Sequence, residues 1–178
     1  MTPPARTMAT ATGMGGIALL VVGFACQAAG ARINTSPSIP VGLYWATSAP
    51  MEKGAYVLFC PPPEDTFKEA RERGYIGAGF CPGDHGYLMK RVVATEHDTV
   101  TIADDGVRVN GELLPRSAPR ESDKAGRPLP HFRASDYVLG TDEVLLMSDR
   151  SATSFDSRYF GPIRRSQLKT AIAPVLTW

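Results

Sequence analysis

The chain opens with an uncharged run over residues 7–31 whose densest apolar part is Ile17, Ala18, Leu19, Leu20, Val21, Val22, Gly23 and Phe24. The run is long enough to span a bilayer, although it is rich in Gly, Ala and Thr. A single basic residue ahead of it, Arg6, orients the N-terminus toward the cytoplasm and the body toward the exported side, with Arg32 reducing the asymmetry. Ala29, Gly30 and Ala31 form a small-x-small pattern, so two fates stay open, a removable signal peptide and a retained anchor. Residues 1–31 are therefore the N-terminal membrane anchor or signal segment, and residues 32–178 form one folded domain.

Beyond the run the pattern changes to short strands. Residues 54–60 read as a buried strand that Pro61, Pro62 and Pro63 stop. Residues 64–73 carry acidic groups early, Arg71 and Arg73 late and Gly74 after the end, the charge order of a short helix, with Phe67 and Ala70 facing the body. Residues 77–86 read as a Gly/Pro-rich loop. Strand alternation over residues 87–94 puts Leu88, Lys90, Val92 and Ala94 on one face and Arg91 on the other, toward a carboxylate partner. Residues 99–102 and 107–114 predict two strands around the Asp105–Gly106 turn. Residues 115–136 have no sustained period and predict a long surface loop bordering a groove. Residues 144–147 form another apolar strand, and residues 163–178 close the sheet.

Charge narrows the function classes. The formal net charge is +1 and no basic stripe is interleaved with aromatics, so nucleic acid is not a direct ligand. Of the three cysteines, Cys26 lies in the first run and reads as a packing residue. Cys60 and Cys81 lie on the side expected to be oxidising, where they either pair or remain buried thiols. A bridge would contribute roughly 3 kcal/mol by restricting the unfolded chain. Three cysteines without a paired histidine spacing do not make a zinc site.

Three stretches carry candidate chemistry. In residues 36–44 Pro37 and Pro40 flank Ser38, so the backbone is extended and short of donors, which suits a fixed nucleophile as well as a linker. Gly42 then permits a close backbone approach. Lys90 is the only charge on its apolar strand face; burial disfavours the ammonium and would make the amine a general base near neutrality. The same pattern serves a lysine whose stem packs while its amine reaches water. Residues 148–161 hold Ser154, Asp156 and Arg158, a polar turn with an ion pair, or hydroxyls and carboxylates positioned around an amine. His85, His97 and His131 fall in turns and the long loop, as surface residues.

Taken together, the Ser-x-Pro-x-Gly-Leu-Tyr form at 38–44, Lys-Arg-Val-Val at 90–93 and Ser-x-Asp-Ser-Arg-x-Phe-Gly at 154–161 resemble the bacterial signal peptidase family of Ser/Lys endopeptidases, most closely its conjugative-transfer, TraF-type branch. The resemblance covers residues 34–161, with 61–80 and 115–136 unmatched. It implies a mostly β fold of antiparallel coiled sheets after one N-terminal hydrophobic helix, and a Ser/Lys peptidase domain over residues 32–178. It makes Ser38 the nucleophile, Lys90 its base, Ser36 a side-chain oxyanion donor, Ser154 the hydroxyl that orients the lysine, Asp156 with Arg158 the supporting ion pair, and Asp149 a further structural carboxylate.

The resemblance also implies cleavage after a small residue of an extended substrate added to a sheet edge, with no metal or nucleotide cofactor. In the conjugative branch the protein partner is a pilin precursor, the other partner is the inner membrane through the N-terminal segment, and the acyl-enzyme is resolved by water or by ring closure. The expected location is the periplasmic face of the inner membrane, or the periplasm after removal of residues 1–31. Family members carry Met after the serine, whereas Ile39 and Pro40 follow Ser38 here, and Ser148, Asp149, Arg150 and Ser151 replace a Gly-Asp-Asn-Arg run. These departures favour a dedicated substrate over general leader cleavage. A self-cleaving repressor shares the Ser/Lys pair, but no DNA-binding helix pair precedes Ser38. A silent anchored assembly factor has no need of Ser36, Ser38, Lys90, Ser154 and Asp156 together.

Overall fold

The computed structural model describes residues 3–178, with side-chain surroundings from residue 15 onward. Its first element, α1 (Pro3–Ala28), ends beside β1 (Ala31–Asn34) and β2 (Gly42–Thr47). Behind them run β3 (Tyr56–Phe59), α2 (Asp65–Glu72), β4 (Ala78–Cys81), β5 (Leu88–Ala94), β6 (Thr99–Ala103), β7 (Gly106–Val109), β8 (Glu112–Leu113), β9 (Ala134–Val138), β10 (Glu143–Met147), α3 (Ser157–Phe160), β11 (Ile163–Arg164) and β12 (Leu168–Thr177). Residues 15–29 are all exposed, including Leu19, Leu20 and Phe24. Among the described residues no helix is long and apolar enough to cross a membrane. Cys26 corrects the packing expectation: it is exposed and free, because among the described residues nothing packs around that part of α1.

Seven strands form one sheet in the order β1-β2-β12-β3-β5-β10-β11, and four form a second in the order β8-β7-β6-β9. Every pairing is antiparallel, as expected of a mostly β fold. The C-terminal strand β12 closes the sheet from inside, between β2 and β3. It needs Gly42 to do so: at φ +152° a Cβ there would stand 2.1 Å from the Leu176 carbonyl oxygen.

Two cores sit on either side of β10. Val144 and Leu146 join Val57, Phe59, Leu88 and Val92, while Leu145 and Met147 join Ala94, Val100, Ile102 and Val107. A strand buried on both faces reads as a continuous apolar run, which is what residues 144–147 are. The α2 helix docks on the first core through Phe67 and Ala70, and burying a side chain the size of Phe67 contributes roughly 1.5–3 kcal/mol. A Cys60–Cys81 disulfide, with its Cα atoms 5.6 Å apart, brackets that helix.

Two local expectations are corrected and a third gains detail. Residues 77–86 contain β4 and a 3-10 turn, Pro82–Asp84, whose chain folds back so that His85 bridges Ala78 and Cys81 through its backbone; His85 is buried, not on the surface. Residues 107–114 are two strands rather than one, because Asn110 and Gly111 both take positive φ (52° and 83°) and reverse the chain. The loop over 115–136 ends in β9 and ties itself together through a Ser122–Pro128 bridge and an Asp123–Arg127 ion pair.

Candidate active site

β1 and β2 form a hairpin that closes at the Asn34–Gly42 pair, so Ser38 stands at the middle of its loop. Pro37 and Pro40 cannot donate, and of the loop carbonyls Val41's accepts from the Trp178 N–H at 3.0 Å while those around Ser38 have no strand partner. Asn34 and Tyr44 supply what the backbone lacks. The Asn34 Nδ2 donates to the carbonyls of Ser36, Ile39 and Pro40 at 2.8, 3.0 and 3.0 Å, and the buried Tyr44 hydroxyl donates to the Pro40 carbonyl at 2.6 Å. Sequence reading missed Asn34. An Asn two positions ahead of a serine and three ahead of a proline is an Asx-turn signal that could have found it.

The apolar face of β5 delivers Lys90 beneath this loop, with alternating residues Leu88, Lys90, Val92 and Ala94 buried. Lys90 is 3% exposed, and its Nζ donates to Ser38 Oγ and to Ser154 Oγ, each at 2.9 Å. The two hydroxyls lie 3.2 Å apart and close the triangle. Burial pushes the Lys90 amine from 10.5 down to about 8; the Asp156 charge opposes that shift and the Arg158 charge supports it.

Ser154 owes its position to the ion pair just C-terminal to it. Asp156 caps α3 and faces Arg158, whose Nε donates to Asp156 Oδ1 at 2.7 Å and whose Nη2 donates to Oδ2 at 2.8 Å. Both side chains are fully buried. The other Arg158 donors reach the carbonyls of Ser151, Ala152 and Ser154 at 3.2, 3.0 and 3.1 Å, so the guanidinium fixes the turn that carries Ser154. The loop after β8 is pinned by the same group, through the Arg116 carbonyl at 3.1 Å.

The structure thus brings Ser38, Lys90 and Ser154 into contact, with Asp156 and Arg158 behind them. Ser36 lies on the exposed side of the loop, where its Oγ donates to Asn34 Oδ1 at 3.1 Å. Asp149 is not part of the cluster. It accepts from the Tyr56 hydroxyl at 2.9 Å and from Arg91 at 3.4 Å, on the opposite face of β5 from Lys90. Burial and that Asp149 bond raise the Tyr56 phenol to about 12. Cys60 and Cys81 serve the scaffold through their bridge.

Ser36, Ser38, Lys90 and Ser154 open onto a cavity of about 640 Å³. Its far wall comes from Tyr75, after α2, and from the 115–136 loop. Sequence reading did not join these two segments, yet the Tyr75 hydroxyl donates to Asp123, whose carboxylate also accepts from Arg127 Nε at 2.6 Å. The arrangement holds a hydroxyl, a deprotonatable amine and a second orienting hydroxyl at the floor of a groove, which is the equipment of acyl transfer through a serine ester.

A family model described as signal peptidase, peptidase S26, matches residues 5–177, and the chain belongs to that family. The match extends beyond the 34–161 span over which the motifs carry the resemblance. The chain is 64% identical over 173 residues to a plasmid transfer protein TraF of Escherichia coli, covering 97% of each, which puts it in the conjugative-transfer branch. It is 33% identical over 101 residues to signal peptidase I V of Bacillus subtilis (strain 168), covering 53% of this chain and 60% of the relative. A solved signal peptidase I from Enterococcus faecalis V583 superposes over 71% of this chain and 100% of its own, with a TM-score of 0.41 and 15% identity.

Proposed function

We propose that this chain is a serine endopeptidase of a conjugative transfer system, maturing a pilin precursor by cleavage after a small residue. The observation that carries the reading is the enclosed Lys90 amine, 2.9 Å from the hydroxyls of both Ser38 and Ser154. Neutral Lys90 takes the Ser38 proton as Oγ bonds to the scissile carbonyl carbon. Ser36 Oγ and the Ser38 backbone N–H are the donors we assign to the resulting oxyanion. The protonated lysine then passes its proton to the leaving amine nitrogen as the C–N bond breaks, leaving an ester on Ser38. A water, or the amino terminus of the same pilin, attacks that ester, gives its proton to Lys90, and the proton returns to Ser38 Oγ. Ser154 keeps the amine directed at Ser38 throughout.

The domain acts on the periplasmic side, with residues 1–31 attaching it to the inner membrane unless they are removed. The Cys60–Cys81 bridge and the apolar composition of that segment support this location.

Intact-mass analysis of a candidate pilin precursor incubated with the full chain in detergent tests the proposal. Cleavage after a small residue, absent with Ser38→Ala and with Lys90→Ala and no worse in the double variant, is the expected result. A product lighter than the linear one by one water marks ring closure. Clear processing by either single variant, or cleavage of ordinary leader peptides in preference to the pilin, overturns the assignment of dyad or of substrate.

A further inference from the structure

The nucleophile loop is a hairpin loop braced on both sides of Ser38 by one side chain, with the Tyr44 hydroxyl on the Pro40 carbonyl and the Trp178 N–H on the Val41 carbonyl as further supports. Asn34, the last residue of β1, is 4% exposed, and every polar position of its amide is engaged. Its Nδ2 bonds to the Ser36, Ile39 and Pro40 carbonyls, on both sides of Ser38. Two N–H groups serve three acceptors, so one bond is shared. Its Oδ1 accepts twice from Ser36, from the backbone N–H and from Oγ, each at 3.1 Å.

We infer that Asn34 is the positioning residue of the site, setting the Ser38 loop and holding Ser36 ready to donate. The inference rests on the Ser38/Lys90 reading proposed above. Pro37 and Pro40 remove the donors with which a loop of this size could brace itself, so its shape depends on bonds from outside the loop. On the Nδ2 side Asn34 supplies them and fixes the height of Ser38 over Lys90.

The Oδ1 side has a different consequence. The Ser36 hydroxyl proton is committed to Asn34 while the site is empty, and must turn from Oδ1 toward the carbonyl oxygen as negative charge grows there. The second bond, from the Ser36 N–H, does not break in that rotation and keeps the residue in place. One neutral hydrogen bond is exchanged for a charge-assisted one, so the donation gains strength only as the oxyanion forms, which is the condition for lowering the barrier rather than merely binding substrate.

Asn34 and Ser36 should therefore act as a unit. Steady-state cleavage by Asn34→Ala, Ser36→Ala and the double variant reads this directly. Ser36→Ala should lower kcat by about 10²-fold, as loss of one oxyanion donor does. Asn34→Ala should cost about as much, because a displaced nucleophile loop is penalised steeply. KM should stay within a few-fold in both, and the double variant should be no more than about tenfold below the worse single one. Losses that multiply fully would show that Asn34 acts independently of Ser36 and overturn the coupling.

Amide hydrogen exchange supplies a readout that needs no substrate. Asn34→Ala should speed exchange at Ser36, whose N–H bonds to Oδ1, while β2 and β12 keep their protection. Unchanged exchange at Ser36 overturns the inference whether or not the protein cleaves anything. If the alanine variant fails to fold, the isosteric Asn34→Asp, which removes the donors and keeps an acceptor, takes its place. In this variant the retained acceptor should keep Ser36 protected while turnover falls, and it is unchanged turnover that overturns the inference. Absence of cleavage by the wild type, with Ser36 exchange responding as described, would reject the peptidase reading and leave the loop assignment standing.

Discussion

A buried lysine of this kind is a stability cost that can be removed by one substitution. Lys90→Met keeps the length of the side chain and its apolar stem against Leu88 and Val92 while deleting the amine. The amine titrates at about 8 in the fold against 10.5 as its ordinary value, so the unfolded chain binds the proton more tightly across that window. Stability therefore rises with pH between about 8 and 10.5, and below about 8 the fold carries the full penalty of a buried ammonium. That displacement corresponds to roughly 3 kcal/mol. The two hydrogen bonds that Lys90 gives to Ser38 and Ser154 are lost in the variant, at about 1 kcal/mol each, although the two hydroxyls, 3.2 Å apart, retain each other. Lys90→Met should then be more stable than wild type by about 1–2 kcal/mol at pH 7, with the gain shrinking and reversing toward pH 10.5. Urea denaturation of both proteins at several pH values measures it. A difference that does not vary with pH, or one that grows in alkali, would refute the burial of a depressed amine at this position.

The same contacts fix three further outcomes. Peptide cleavage should rise on an alkaline limb with an inflection near pH 8, and Lys90→Arg should be inactive at every pH because a guanidinium keeps its proton; kcat/KM profiles check both. Asp156→Asn leaves the fully buried Arg158 without its countercharge and should cost about 3–5 kcal/mol in chemical denaturation, with cleavage falling as the Ser154 turn loosens. Reduction of Cys60–Cys81 should lower the melting temperature by releasing a loop bridge of roughly 3 kcal/mol, and intact mass should show two added hydrogens.

Much of this centre is written locally in the chain. Ser38 is legible because two prolines around a serine leave the backbone few conformations, and Lys90 because strand alternation isolates one charge among apolar neighbours. Asp156 and Arg158 are two residues apart, so their pairing needs no tertiary knowledge. What escapes is whatever depends on a partner distant in sequence. Tyr75 and Asp123 are 48 positions apart, and neither carries a mark of the other. The place of β12 between β2 and β3 is equally silent, apart from Gly42, whose missing side chain is the space Leu176 occupies. His85 looks like a turn residue because its backbone pairs with Ala78 and Cys81 in a segment whose glycines suggest only a loop. Asn34 falls between the two cases: its signal is local, but it has meaning only once the hairpin closes at Gly42.

In the mechanism proposed above, the pairing of Asp156 with Arg158 is what lets a lysine serve as base where histidine is the commoner choice. A carboxylate bonded to Lys90 would stabilise the ammonium and hold its pKa above the working range. Here both Asp156 oxygens are taken, Oδ1 by Arg158 and Oδ2 by Arg158 and the Ser148 N–H at 3.1 Å, so the amine is left with hydroxyl partners only. The guanidinium offsets part of the field of the carboxylate and at the same time ties down the turn bearing Ser154. Burial lowers the amine, and one ion pair both keeps a carboxylate from undoing that and fixes the amine's aim. The two effects separate experimentally in Asp156→Asn: loss of the carboxylate should lower the inflection of the alkaline limb, whereas loss of the turn should reduce the plateau above it.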